Sequence, residues 1–213
     1  MSAKLYDISR TISNALHVWP GDTPPNIRQT AAIKDGASVN LFAITMGMHT
    51  GTHIDAPYHY TEERIHPDMV PLEAYIGPAQ VITLSRREGA MVPADFSVEI
   101  RAPRVLIHTR MSDIPDTEWD TTFPYPSPEL ADWLAAQGVI LFGLDSPSVD
   151  SHDSKTLPGH HRLWHHKILN VENVMLKGVP DGLYELIALP LKIAGVCGSP
   201  VRAILRETIP VPE

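Results

Sequence analysis

The sequence has little cysteine and no long apolar run. Cys197 is the one cysteine in 213 residues, so the chain cannot form an internal disulfide and does not fit the disulfide-rich secreted scaffolds. The short apolar runs argue against a membrane-spanning helix, and the first ten residues lack the apolar core of a signal peptide. We therefore expect a cytoplasmic protein that does not act in a membrane.

Basic charge is also scarce. The 17 Lys and Arg residues are outnumbered by 25 Asp and Glu residues, and no basic cluster is longer than Arg86-Arg87, which argues against a nucleic-acid partner. Disorder is excluded as well, because 43% of the residues are hydrophobic. The length, with no Gly/Ser linker along the chain, predicts a single domain over residues 1–213.

Apolar runs and turn residues predict an α/β fold with a mixed sheet. A helix is expected from Ser127 to Gln137, because Ser127 suits the N-cap, Pro128 the first helical position and Gly138 the end. Strands are expected at 40–48, 80–84, 105–109, 139–143 and 185–189. The strand–helix–strand order across the helix predicts a parallel pair. A short helix is expected around 163–169, and the long loop over 109–127 is of a length that is often functional.

Histidine is abundant, and part of it is clustered. Three of the eleven histidines, His49, His53 and His59, lie with Asp55 in one eleven-residue segment. Neutral imidazole is the commonest metal ligand, and a carboxylate can bind one ion or bridge two. In an extended segment these four side chains would share one face. The pattern favours a metal site over a solvated loop.

A second group of titratable residues lies about a hundred residues further along the chain. Its members are His152, His160, His161, His165, His166, Asp145, Asp150, Asp153 and Glu172. An ion held by the first segment needs further ligands, and this group offers them. Two alternatives stay open: His165 and His166 could form a polar helical face, and Asp145 could open a turn instead of serving a site. Cys197 is expected to be a small buried thiol.

The first histidine segment carries a family signature. Residues 49–59, HTGTHIDAPYH, match the pattern His-x-Gly-[Thr/Ala]-His-x-Asp-x-Pro-x-His, and the sequence resembles the metal-dependent cyclase hydrolases. Within that family it looks most like the bacterial kynurenine formamidase (arylformamidase) branch, which the Trp-Pro-Gly-Asp run at 19–22 and the C-terminal segments favour. Supporting motifs lie at 7–9, 18–24, 71–78, 143–150, 153–156, 160–161, 184–191 and 199–203.

The resemblance implies a fold and a cofactor. The fold would be a compact α/β domain with the mixed-sheet, swivelling β/β/α architecture of the cyclase family, commonly a homodimer. The site would hold two divalent metal ions, usually zinc. The ligands implied are His49, His53, Asp55, His160 and Glu172. Asp55 would bridge the two ions, and His161 remains the alternative to His160 in the doublet.

The resemblance also implies a reaction on a small-molecule substrate. A metal-activated hydroxide would hydrolyse N-formyl-L-kynurenine to L-kynurenine and formate, with His59 as general acid/base and Trp19 lining an aromatic-substrate pocket. Isatin, or another small cyclic or aryl amide, is the alternative substrate, because the metal chemistry would be the same. A metal-binding protein without catalysis is the other alternative; structural zinc sites are mostly cysteine-rich, which disfavours it here.

Overall fold

The structure of the chain is a computed structural model, and it describes residues 3–207. The domain expected over 1–213 includes residues 1–2 and 208–213, which lie outside the described part, so its extent stays a prediction. Within residues 3–207, no helix combines the length and the apolar character needed to cross a membrane.

Short strands dominate the described part of the chain. They are β1 (Leu5–Asp7), β2 (Asn26–Ala31), β3 (Leu41–Thr45), β4 (His53–Asp55), β5 (Ile76–Thr83), β6 (Gly89–Met91), β7 (Arg104–His108), β8 (Pro124–Pro126), β9 (Leu141–Leu144), β10 (Leu169–Val171), β11 (Gly182–Ile187), β12 (Gly198–Pro200) and β13 (Ile204–Glu207). Two α-helices accompany them in residues 3–207, α1 (Pro128–Ala136) and α2 (Pro158–His165).

The main sheet is mixed, as the sequence predicts. Within residues 3–207 it has seven strands in the order β1-β13-β11-β5-β7-β9-β10. The four strands β5, β7, β9 and β10 run parallel, whereas β11, β13 and β1 are joined by antiparallel pairings. The predicted parallel pair on either side of α1 is confirmed as β7 and β9.

The two faces of this sheet are covered by different layers. Side chains alternate along a strand, so neighbours on β7 point to opposite faces. Val105 and Ile107 pack with Leu130 of α1 in one buried cluster, whereas Leu106 belongs to a second cluster with Ile54 of β4. The helices therefore cover one face, and the small β4–β12 ribbon lies on the other, which gives a β/β/α arrangement.

The predicted helix over 127–137 is confirmed, including its cap. The Ser127 hydroxyl accepts a hydrogen bond from Leu130 N at 3.1 Å, and Pro128 occupies the first turn. The five predicted strands overlap β3, β5, β7, β9 and β11, with ends that shift by a few residues. The long loop over 109–127 also contains a 3-10 turn, Arg110–Asp113, and the whole of the short strand β8.

The helix expected around 163–169 is wrong in its position. Helix α2 begins at Pro158 and ends at His165, and Leu169 is already the first residue of β10. Lys167, with a φ of 58°, turns the chain between the two elements. Leu169 pairs with Leu141 of β9, so sheet pairing decided the conformation of a segment whose local pattern favours a helix.

Candidate metal centre

Strand β4 places two of the expected ligands on one side of the chain. His53 and Asp55 point together toward the interior of the site and are 2% and 1% exposed, while Ile54 between them packs into the core. Within the segment 49–59, the strand conformation is confined to β4. Gly51 has a φ of +65°, a left-handed conformation that favours glycine, and residues 57–59 form a 3-10 turn. These two bends, not strand alternation, bring in the two outer histidines.

Three imidazoles converge on the Asp55 carboxylate. Oδ1 lies 2.7 Å from His49 Nδ1 and 3.5 Å from His53 Nε2, while Oδ2 lies 3.2 Å from His160 Nε2. The Glu172 carboxylate approaches from β10's end, with Oε2 3.3 Å from His53 Nε2 and Oε1 3.8 Å from His160 Nε2. The structure thus brings all five predicted ligands into one cluster.

The other ring nitrogen of two of these histidines is held by the protein. His53 Nδ1 donates to the Gly51 carbonyl at 2.9 Å, and His160 Nδ1 donates to Asp150 Oδ2 at 2.7 Å. An imidazole whose one nitrogen is protonated and fixed in this way offers the lone pair of its other nitrogen to a metal. The other nitrogen of each ring faces Asp55.

Asn170 and Asp150 were not assigned roles by the sequence analysis. Asn170 Nδ2 donates to Asp55 Oδ2 at 2.8 Å and to Glu172 Oε1 at 3.0 Å, so it orients both carboxylates. Asp150 accepts two backbone hydrogen bonds from the start of α2 in addition to that of the His160 ring. Asn170 lies two residues before Glu172 in an extended segment, where such residues point to the same side of the chain. This spacing is the signal in the sequence that could have revealed the role of Asn170.

Asp145 belongs to the structure of the loop after β7 and not to the cluster. Its oxygens accept hydrogen bonds from the backbone and hydroxyl groups of Thr109 and Ser112, at 2.7 to 3.0 Å. Burial raises the pKa of this carboxyl group, and the four donors act against that effect. Neither alternative from the sequence describes it, because it anchors a neighbouring segment.

The two histidine pairs of the second titratable group, 160–161 and 165–166, differ in what their side chains contact. His160 is buried, with 4% exposure, and faces the cluster, whereas its neighbour His161 is exposed. Beyond the end of α2, the His166 ring lies 2.6 Å from Asp132 of α1, and His165 is exposed. The second pair therefore lies outside the cluster, but only His165 belongs to the helix, so the alternative of a polar helical face describes it in part.

Cys197 differs from its expectation as a small buried thiol. It is half-buried and lines the same cavity as the histidine cluster, with Sγ 3.2 Å from His49 Nε2. Hydrogen bonding to His49 and His59 lowers the pKa of this thiol to about 6, against the opposing effect of burial. The sequence could not show this, because the partners lie more than a hundred residues earlier.

The cluster opens into a cavity of about 430 Å³. His59 is exposed on the open side, and its ring centroid lies 4.0 Å from that of His49. Trp19 and Trp119 line the wall, with ring centroids 5.4 Å apart, and the Trp19 ring also lies 4.9 Å from His152. Trp19 is therefore a half-buried cavity residue and not part of the hydrophobic core.

Protons on two imidazoles compensate the charge of the buried Asp55 carboxylate in the metal-free cluster. Burial disfavours ionisation of Asp55, yet His49 and His160 hold the pKa of that carboxyl well below its usual range. Burial likewise disfavours charged imidazoles, but the Asp55 carboxylate raises the pKa of His49 to about 11. Asp150 and Asp55 together raise the pKa of His160 to about 10, again against burial.

The donor set fits a divalent cation. Asp55 Oδ1 is buried and makes no hydrogen bond within the described part of the chain, although two imidazole nitrogens lie beside it. In the metal-free chain the protonated imidazoles compensate this buried carboxylate, and a cation held by the same atoms would compensate it in their place. Imidazole nitrogens with carboxylate oxygens suit zinc, and also manganese or cobalt.

We expect zinc loading of the metal-free protein at about pH 8 to release protons. The pKa values of His49 and His160 lie above that pH, so each ring holds a proton that must leave before its nitrogen binds a cation. About two protons should be released, and apparent affinity should fall as the pH is lowered. Calorimetry in buffers of different ionisation enthalpy measures the number. Binding without proton release would contradict the assignment of these rings as ligands.

Solved structures of several proteins are similar to this one. A potential metal-dependent hydrolase with cyclase activity is 26% identical, with a TM-score of 0.83 over 98% of this chain and 100% of that chain. A predicted metal-dependent hydrolase from Bacillus stearothermophilus is 25% identical, with a TM-score of 0.80 over 97% and 99%. Isatin hydrolase A from Labrenzia aggregata, solved with benzyl benzoate, is 25% identical, with a TM-score of 0.80 over 96% and 93%.

A family comparison gives the same relationship from the sequence. The family model described as "Putative cyclase" matches residues 6–151, which include the histidine segment 49–59 and Asp150. This match covers more than half of the chain, and the chain therefore belongs to the cyclase family.

Proposed function

We propose that this chain is a metal-dependent hydrolase that cleaves N-formyl-L-kynurenine to L-kynurenine and formate. The observation that carries the proposal is the convergence of three imidazoles and a second carboxylate on Asp55, at the edge of a cavity large enough for a small aromatic molecule. The similar metal-dependent hydrolases support the reaction class. The formamidase motifs of the sequence support the substrate.

Two cations are part of the proposal, with zinc as the metal. His49, His53 and Asp55 would hold the first, and Asp55, His160 and Glu172 would hold the second, because the two Asp55 oxygens face different imidazoles. When bound, such cations lower the pKa of water and polarise a carbonyl group. Asn170 and Asp150 keep the carboxylates and the His160 ring oriented for this purpose.

His59 has the position expected of the general acid/base. Its ring is exposed to the cavity and lies beside His49, whereas the imidazoles proposed as ligands are more buried. In hydrolysis the water oxygen bonds to the formyl carbon and the carbon–nitrogen bond breaks. The His59 ring would accept the water proton and return it to the departing aniline nitrogen, a role that suits an imidazole near neutral pH.

The Trp19→Ala variant is expected to raise KM for N-formylkynurenine more than it lowers kcat. Trp19 lines the cavity beside Trp119, so its ring would offer a stacking surface to the aromatic substrate, and it has no proton to exchange in the reaction. Loss of one stacking contact costs about 1 kcal/mol, or about fivefold in KM. Steady-state kinetics measure this effect. Trp19→Phe should retain part of the stacking contact and therefore show a smaller rise in KM. A pure fall in kcat would place Trp19 outside the binding site.

The direct test is hydrolysis of N-formylkynurenine by the purified chain. We expect turnover with zinc, loss of turnover after treatment with a chelator, and recovery when zinc is restored. Turnover by a fully demetallated sample would overturn the metal-dependent mechanism. If the chelator lowers the melting temperature and neither metal state cleaves any amide, the metal is structural and the proposal fails.

Isatin hydrolysis is the second candidate function. Its support is the similarity to isatin hydrolase A from Labrenzia aggregata, at 25% identity and a TM-score of 0.80. The proposed metal ligands would serve either amide, since both reactions add water to an amide carbonyl. The ratio of kcat/KM for N-formylkynurenine and isatin, measured on one preparation, decides between the two substrates.

The proposal includes the homodimer that the family resemblance implies. Within residues 3–207, β2 and β3 pair only with each other and form a separate two-stranded ribbon. Phe42 on this ribbon is 64% exposed, and Leu41 and Ile44 are also exposed. Isolated two-stranded ribbons are marginally stable in water, and exposed apolar patches favour association. Light scattering on the purified chain gives the mass, and a monomer would remove this part of the proposal.

A further inference from the structure

The position of the Cys197 side chain is set by the small ribbon under the site. Gly198 of β12 is paired with Asp55 of β4, and Ala56 N donates to the Cys197 carbonyl at 2.9 Å. Sheet pairing thus fixes the position of the Cys197 thiol relative to the Asp55 carboxylate, on which the imidazoles converge. The sulfur is therefore held at a defined distance from the cluster and does not sit on a free loop.

The His49 ring lies between that carboxylate and that thiol. Its Nδ1 is 2.7 Å from Asp55 Oδ1, and its Nε2 is 3.2 Å from Cys197 Sγ. If Nδ1 gives its lone pair to a cation, Nε2 carries the ring proton and requires an acceptor. A cysteine sulfur is a weak acceptor, and here it lies within hydrogen-bond distance.

The same arrangement is found at the other two imidazoles of the cluster. The Gly51 carbonyl accepts from His53 Nδ1, and the Asp150 carboxylate accepts from His160 Nδ1. In each ring one nitrogen faces Asp55 and the other has a protein acceptor. Cys197 completes this pattern for His49.

Close packing leaves the His49 ring little room to adopt another orientation. A Cβ atom built on Gly198 would lie 2.7 Å from His49 Cε1 and 3.1 Å from Nδ1, closer than carbon atoms normally approach. The ring therefore packs directly on the backbone of β12, one residue from the thiol. Gly198 allows the His49 ring to approach the backbone, and Cys197 offers a hydrogen-bond acceptor to the same ring.

We propose that Cys197 is a positioning residue, which accepts a hydrogen bond from the Nε2–H group of His49 and so directs His49 Nδ1 to the cation. The inference rests on the proposed function, because it assigns a role within the same metal centre. It differs from direct ligation by the thiol, for which His49, His59 and Cys197 are also close enough together.

The test compares Cys197→Ala with Cys197→Ser in the full chain. Alanine removes the acceptor, whereas the serine hydroxyl at the same position can still accept a hydrogen bond from the Nε2–H group. Loss of an outer partner of a ligating histidine typically costs about 10- to 100-fold in metal affinity. We therefore expect zinc affinity for one of the two ions to fall by that factor in Cys197→Ala and to recover in Cys197→Ser. Chelator competition measures the affinity, and melting temperatures show that both variants are folded.

Cobalt substitution separates positioning from ligation. The chain contains one cysteine, so a sulfur-to-cobalt charge-transfer band in the parent protein would identify Cys197 as a ligand and overturn the proposal. Equal zinc affinity in the parent and Cys197→Ala would overturn it as well. A parent chain that binds no cation at all would instead contradict the proposed function, and the positioning role with it.

Discussion

Replacing Asp55 by alanine is expected to empty both metal positions and to abolish amide hydrolysis. Asp55 is 1% exposed, and its two oxygens face the imidazoles of His49, His53 and His160 from opposite sides. Without this carboxylate, neither proposed cation retains its shared ligand, and the charge stabilisation of several kcal/mol that a metal supplies is lost. We expect kcat/KM to fall by about a thousandfold or more.

Metal analysis of the purified variant, together with the rate, checks this result. Asp153→Ala is a suitable control, because Asp153 is an exposed carboxylate in the second titratable group and should keep both ions. Unaltered metal content in Asp55→Ala would remove the bridging role. Loss of a single ion would assign Asp55 to one position only.

Replacing His59 by alanine is expected to leave the metal in place and to remove most of the rate. His59 is exposed to the cavity, whereas His53 and His160 are buried against the two carboxylates, so we expect metal binding to survive without the His59 ring even though that ring lies near Asp55 and His160. General acid/base catalysis typically contributes about 10²- to 10⁴-fold, and kcat should fall within that range.

The comparison with an exposed histidine outside the cluster makes this experiment specific. His161 lies next to His160 on α2 but is exposed, so His161→Ala should retain both metal and rate. If His59→Ala loses metal, the ring is a ligand and another group must move the proton.

The signature segment shows how far local sequence leads toward the site. Imidazoles and a carboxylate spaced over residues 49–59 predicted a metal site, and the structure brings that group together. In a fully extended segment all four side chains would share one face, but strand alternation accounts for the placement of His53 and Asp55 alone. The turn at Gly51 and the 3-10 turn over 57–59 depend on packing against other parts of the chain, which no local period reveals.

Elements with strong local signals were predictable in the same way. Helix α1 carries its own cap, first-turn proline and terminal glycine, so its limits follow from nearest neighbours. Strand β10 has only three residues, and it exists because Leu169–Val171 pairs with β9. A segment this short has little intrinsic preference, and the sheet decides its conformation.

The sequence by itself determined which functional groups and secondary-structure elements the chain contains. It is poor in cysteine, has one segment rich in histidine with an aspartate, and carries apolar strands for a mixed sheet and one helix with clear end signals. Only the tertiary structure decided which groups meet. His160 reaches Asp55 across 105 positions of the chain, Asn170 across 115, and Cys197 reaches His49 across 148. The contacts of Cys197 and Asn170 follow from the pairing of β12 with β4 and from the antiparallel bridge between His53 and Glu172, because hydrogen-bonded register carries distant side chains to one place.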